Sequence, residues 1–244
     1  MSEPDRHDDA SAPVRRLREA LRRLADQTRG RPRTGRTHHD ADDDTGTAGT
    51  DDAAGFDPLP LLRTLDLAGA QVVVIGQVAG IMHGSRELTG DLDLLWDGSA
   101  AQAGLLAAAF TQASAELTND DGAPVPCDLE AFRLPKVLFR TATASGDCCT
   151  PALPWGSLAV ADFLGRCETV SAGDFTIRYL SRQDLILMRQ AIGRPKDLRR
   201  AREMASLFSE ERPSHERPRL SWALPTGSRR FRFPMSSSAG QVWL

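Results

Sequence analysis

Apolar and polar positions divide the chain into three unequal stretches. Between Pro13 and Gln27, Val14, Leu17, Leu21 and Leu24 recur at helical spacing with arginines covering the other face. Pro13 suits a first turn, so one short amphipathic helix is expected there, with docking or self-association as its role. From Gly30 to Gly55 no apolar period exists, and seven acidic residues fall between Asp40 and Asp57 without one base. That composition predicts disorder, so residues 1–56 read as a mostly disordered extension carrying one helix. Beyond Glu211, prolines 213, 218, 225 and 234 and a serine run at 236–238 leave residues 212–244 an irregular tail.

Residues 57–211 carry the periodic signal. Asp57-Pro58 opens a helix bearing Leu61, Leu62 and Leu65, closed by Gly69. Gln71–Ile75 is a short β-branched run suited to a buried strand, and Gly76 leads into a short helix ending at Gly84. Asp91-Leu92-Asp93-Leu94-Leu95-Trp96 alternates at period two, which predicts a strand with one carboxylate face. An Ala/Leu-rich helix is expected over 99–117, then strands at 136–142, 146–150 and 174–180. Ser181 and Asp184 form a capping box for a helix through Ile192, and a last helix runs from Lys196 to Phe208. The order implies an α/β (α+β) domain, a small mixed β-sheet with helices packed on it.

Composition narrows the function classes. The 244 residues are 41% hydrophobic, enough for one core, and 30 basic against 33 acidic residues give a net charge of −3. A protein that coats nucleic acid would carry a basic excess; only a local basic groove remains open. The longest apolar runs, near 72–75 and 103–110, fall short of the roughly 20 residues that span a bilayer. Met1–Asp5 has neither the charge nor the apolar stretch of a signal peptide, so a cytoplasmic protein without a membrane partner is expected. Cys127, Cys148, Cys149 and Cys167 include no CxxC, which excludes a zinc knuckle or redox motif and points to reduced thiols.

The candidate chemistry begins at Asp91 and Asp93. Residues i and i+2 of a strand project from one face, about 6.6 Å apart, so both carboxylates can hold a divalent ion such as Mg2+ or Mn2+. Just upstream, His83-Gly84-Ser85-Arg86-Glu87-Leu88-Thr89-Gly90 ends a helix and feeds the acidic strand, offering backbone N–H groups and a hydroxyl to phosphate oxygens. Arg86 either meets phosphate or pairs with Glu87 or Asp91. His83 reads as a packing histidine, and Arg194 and Lys196 as a solvated turn or a nucleotide-facing one. Gly76-x-x-x-Gly80 lacks the spacing of a dinucleotide fingerprint.

Val74-Ile75-Gly76-Gln77-Val78-Ala79, His83-Gly84-Ser85-Arg86 and Thr89-Gly90-Asp91-Leu92-Asp93-Leu94 together resemble the minimal nucleotidyltransferase superfamily, in its toxin-like branch related to AbiEii proteins. Leu180–Ile186 and Gly193–Asp197 are similar to the helical segment that closes those domains, so the resemblance spans about 125 residues. It implies a polymerase-β-like fold in which Asp91, Asp93 and a third carboxylate on a later strand hold Mg2+ or Mn2+. Asp128, Glu130 and Asp147 compete for that third place. Asp147 is favoured because Leu138–Thr141 and Gly146–Cys148 read as adjoining strands. Gly76, Gly84, Ser85, Arg86, Thr89 and Arg189 are the implied nucleotide-binding residues. The chain departs from the family at Gln77, where a second glycine is common and a side chain could crowd the nucleotide, and at Arg189, the usual lysine position. The implied reaction moves a nucleoside monophosphate from a nucleoside triphosphate to an RNA (tRNA-like) or protein acceptor, guided by Arg86, Arg140 and Arg189, in a toxin–antitoxin pair with an antitoxin partner. The alternative is a catalytically silent module of this fold that binds nucleotide or a partner protein.

Overall fold

Strand pairing brings the two central acidic strands together although many residues separate them. A computed structural model of the chain describes residues 11–37, 40–41, 46–155 and 158–211; the expected tail at 212–244 lies outside the described residues. Helices α1 (Ala12–Thr28) and α2 (Leu59–Leu67) precede strand β1 (Val73–Val74), helix α3 (Gly76–Met82) and strand β2 (Leu92–Leu95). Helix α4 (Ala100–Gln112) is followed by β3 (Glu116–Thr118), β4 (Pro124–Val125), β5 (Lys136–Arg140) and β6 (Ser145–Cys149). Strands β7 (Glu168–Ser171) and β8 (Thr176–Tyr179) lead to helices α5 (Arg182–Ile192) and α6 (Pro195–Glu211). The eight strands form one mixed sheet in the order β4-β3-β5-β6-β2-β1-β8-β7. At its centre β2 runs antiparallel to β1 and parallel to β6, while β1 runs parallel to β8.

Local chemistry explains the element ends. The Ser99 hydroxyl accepts from the Gln102 amide at 3.3 Å, and the Ser181 hydroxyl accepts from the Asp184 amide at 3.2 Å, each satisfying a first-turn donor. Gly193, at φ 73°, closes α5 in the left-handed conformation. Helix α4 stops at Gln112, short of the expected 117, because the chain turns through Ser114, at φ 52°, into β3. β7 escapes a reading by alternation because its side chains are almost all exposed. No described helix is long and apolar enough to cross a membrane.

The N-terminal region corrects the expectation of disorder. Val14, Leu17, Ala20 and Leu24 of α1 are buried in the main core, with α1 against α3. Of the stretch read as disordered, residues 30–37, 40–41 and 46–55 are placed, and Thr47, Thr50 and Ala53 are buried. Polar bonding replaces apolar period here. The Asp51 carboxylate accepts from the Thr34 amide at 2.9 Å and the Gly35 amide at 2.7 Å, and Arg31 donates to the carbonyls of Ala48, at 3.0 Å, and Thr50. Arg140 reaches back to Asp52 at 2.7 Å. Buried Ala53 and Phe56 complete the anchor.

Candidate functional site

Period-two alternation sets the floor of the site. Leu92 and Leu94 are fully buried on one face of β2, so Asp93 projects from the other, with Asp91 entering the strand on the same side. In the parallel pairing Asp93 stands opposite Asp147, which puts a third carboxylate beside it on β6. Asp128 and Glu130 are not brought there: both are exposed in the loop before β5, Asp128 accepting from the Glu130 amide at 2.9 Å and Glu130 pairing with Arg133 at 3.0 Å.

Each carboxylate has a distinct environment. The Asp93 side chain lies over Gly76, where an added Cβ would fall 1.8 Å from Asp93 Oδ2; with φ at +64°, that position requires glycine twice over. Burial, then the charges of Asp91 and Asp147, pushes the Asp93 carboxyl well above the usual range, opposed by Arg194 and Arg200. Asp91 Oδ1 accepts hydroxyl hydrogen bonds from Thr89 and, at 2.8 Å, from Thr47. Asp147 has the buried ammonium of Lys136 at 3.9 Å, and Lys136 also pairs with Asp120 at 2.7 Å. Burial pushes the neighbouring thiols of Cys148 and Cys149 up, so they stay neutral. Among the described residues no group of three or more His, Cys, Asp or Glu side chains is placed to hold a metal ion.

Above this floor opens a cleft of about 60 Å³, lined by Thr47, Gly76, Gln77, Thr89, Asp91, Asp93 and Arg189. Its wall comes from α5, the turn after it and α6: Leu185, Met188 and Ile192 with Trp155 supply apolar surface, and Arg194, Lys196 and Arg200 supply positive charge. Arg194 pairs with Asp197 at 2.5 Å and Arg200 with Glu87 at 2.5 Å, which fixes both guanidinium groups at the rim. The turn at Arg194 and Lys196 thus faces the cleft.

Several residues expected on phosphate are engaged elsewhere. Arg189 is buried; its guanidinium donates to Gln77 Oε1 at 2.8 Å, the Gly76 carbonyl at 3.3 Å and the Arg200 carbonyl at 3.2 Å. Burial and the Arg200 charge lower its pKa to about 10. It braces α5 and α6 against the start of α3 while also lining the cleft. Gln77 also lines the cleft, with its amide buried and donating to Ser85 Oγ at 2.9 Å and the Glu87 carbonyl at 2.8 Å. The Ser85 hydroxyl donates to Glu203 at 2.8 Å, and the exposed Arg86 gives its backbone N–H to the same carboxylate at 3.1 Å. Gly84 faces Leu207 and Arg16. None of these three loop residues lines the cleft. His83 packs on Tyr179 with its Nε2 2.8 Å from the Leu180 carbonyl, as a packing histidine should.

Thr47, Lys136, Trp155 and Arg200 escaped the sequence reading. Thr47 lies in a stretch with no period, and the others carry no motif; only the run of helical spacing from Lys196 hinted that Arg200 shares a face with Lys196. No protein-family model and no curated protein matches the chain.

Proposed function

We propose that the cleft is the nucleotide site of a metal-dependent nucleotidyltransferase with a polymerase-β-like fold, of the toxin-like branch related to AbiEii proteins. The observation that carries this reading is that Asp91 and Asp93 line a cleft rimmed by Arg194, Lys196 and Arg200, with Asp147 standing opposite Asp93 on the paired strand β6. The donor set suits Mg2+ or Mn2+: it is all oxygen and anionic, and the missing Cβ of Gly76 leaves the Asp93 carboxylate its place. Asp91, Asp93 and Asp147 would hold the ion. When bound it supplies neutralisation of triphosphate charge and acidifies an acceptor hydroxyl.

The chain's own residues do the rest. Arg194, Lys196 and Arg200 receive the phosphate oxygens, and Trp155 with Met188 and Ile192 offers apolar surface to the base. A carboxylate of the floor takes the proton of the acceptor hydroxyl as that oxygen attacks the α-phosphorus. Pyrophosphate leaves with the electron pair of the broken P–O bond. The cleft is open, which suits an RNA or protein acceptor.

The test is incubation of the full chain with Mg2+, labelled nucleoside triphosphates and total RNA, beside thermal melts with and without Mg2+–nucleotide. The expected result is label in RNA or protein and a nucleotide-dependent rise in Tm, both lost in Asp91→Ala/Asp93→Ala. Inducible expression of the two forms tests the toxin role: only the active chain should slow growth. A second reading is favoured by the proximity of Lys136 to Asp147, which engages that carboxylate with a group of the chain itself. It is a silent nucleotide-binding module, and a nucleotide-dependent rise in Tm without transfer would select it.

A further inference from the structure

We propose that Thr47 is an internal acceptor, so that the protein nucleotidylates its own chain at this hydroxyl. The inference rests on the nucleotidyltransferase reading and extends it to a modification site. Thr47 lies 44 residues before Asp91 in sequence, yet its hydroxyl donates to Asp91 Oδ1 at 2.8 Å, lies 2.8 Å from Thr89 Oγ1 and accepts from the Gly90 amide at 3.0 Å. Thr47 also lines the cleft between the carboxylates and the cationic rim. A hydroxyl that donates to a carboxylate of the reaction floor, beside a site for triphosphate, is where an acceptor belongs.

The segment carrying Thr47 is seated, not merely draped. Arg31 binds the carbonyls of Ala48 and Thr50, and the Thr50 hydroxyl donates to the Thr47 carbonyl at 2.7 Å. Ala53 lies so close to the turn before β2 that a Cβ on Gly90 would meet its Cα at 2.6 Å. These contacts fix the hydroxyl in advance of any reaction. In the step, Thr47 Oγ1 forms a bond to the α-phosphorus and its proton passes to Asp91. The bond from the α-phosphorus to the bridging oxygen breaks, and pyrophosphate leaves with that electron pair. The product is a phosphodiester between Thr47 and the nucleoside. Its nucleotide occupies the cleft, so the modification would exclude further substrate.

The full chain is incubated with Mg2+ and each labelled nucleoside triphosphate in turn, without RNA, and peptides are mapped by tandem mass spectrometry. The expected result is one nucleoside monophosphate on Thr47, formed at a rate per molecule that does not change with protein concentration. Thr47→Ser keeps the label, and Thr47→Val falls to the background of Asp93→Ala. Label on another residue, Thr89 included, overturns the proposal, as does a rate that rises with protein concentration. A wild-type chain that gains Tm with Mg2+–nucleotide and labels added RNA, but never itself, overturns the internal acceptor while leaving the enzyme reading intact. Absence of any nucleotide-dependent change in Tm or label removes both.

Discussion

The carboxylate floor and the loop that precedes it are both rich in polar residues, yet they use them in opposite ways. On β2 and β6 the two-residue period fixes which side chains face the cleft, and register fixes which acids become neighbours: Asp93 stands by Asp147 because the strands pair, at the cost of mutual repulsion. In the loop at 84–90 no period applies, and Ser85 is engaged by Glu203 and Gln77 and Glu87 by Arg200. The strand carboxylates are buried beside one another, which costs stability, whereas the loop's polar groups are satisfied by partners. Function therefore concentrates where polar groups are held against their own preference.

The largest effect that separates the two regions is expected at Asp147. Asp147→Ala should lower nucleotide transfer by about 10²- to 10³-fold, the scale of losing one preorganised electrostatic group, measured by initial rates at saturating Mg2+. Gly76→Ala should remove nucleotide binding and lower stability by about 2–4 kcal/mol, read from urea melts, because its Cβ would collide with Asp93 at a backbone angle of +64°. On the braced side, Arg189→Met should cost about 2–4 kcal/mol by leaving Gln77 Oε1 and two carbonyls without their donor. An equal nucleotide affinity in the still-folded fraction would sharpen the contrast; a loss of affinity at full stability would return Arg189 to the ligand.

A pH test isolates the repulsion on the floor. The folded Asp93 pKa lies above the ordinary value of 3.8, so the folded state holds its proton more tightly than the unfolded one. Metal-free stability from this group is therefore greatest below that value and falls as pH rises through the raised pKa. Melts in chelator from acid to neutral pH should show the decline, and Asp93→Asn should flatten it and raise Tm at neutral pH by a few degrees. The smallest effects form a pair. Ser85→Ala should cost about 1 kcal/mol with nucleotide affinity unchanged, whereas Lys196→Ala should leave stability within about 0.5 kcal/mol while weakening nucleotide binding roughly tenfold.

Much of this arrangement was legible in the residues. Helix α1, the β2 alternation and the capping box at Ser181 follow from spacing alone, and they place Asp91, Asp93 and the turn at Arg194. The adjoining strands read at Leu138–Thr141 and Gly146–Cys148 made Asp147 a candidate, but only pairing between distant strands could put it beside Asp93. Periodicity reports which face a side chain takes, not what it meets. The bonds from Arg189 to the Gly76 and Arg200 carbonyls and from Ser85 to Glu203 therefore leave no trace in the sequence. Residues 46–53 were illegible because hydrogen bonds to Arg31, Asp51 and Gly90, not apolar burial, hold most of them.

The parallel pairing of β2 with β6 has a kinetic side. Asp93 and Asp147 are separated by 54 positions, and β1 meets β8, more than 100 positions later, at Val74 and Tyr179. Such closures pay their loop entropy before any contact rewards them, so the centre of the sheet assembles slowly and last. A ribosome synthesising this chain releases β2 well before β6, α5 and α6 have emerged, and until they do the reaction floor has neither its third acid nor its cationic rim.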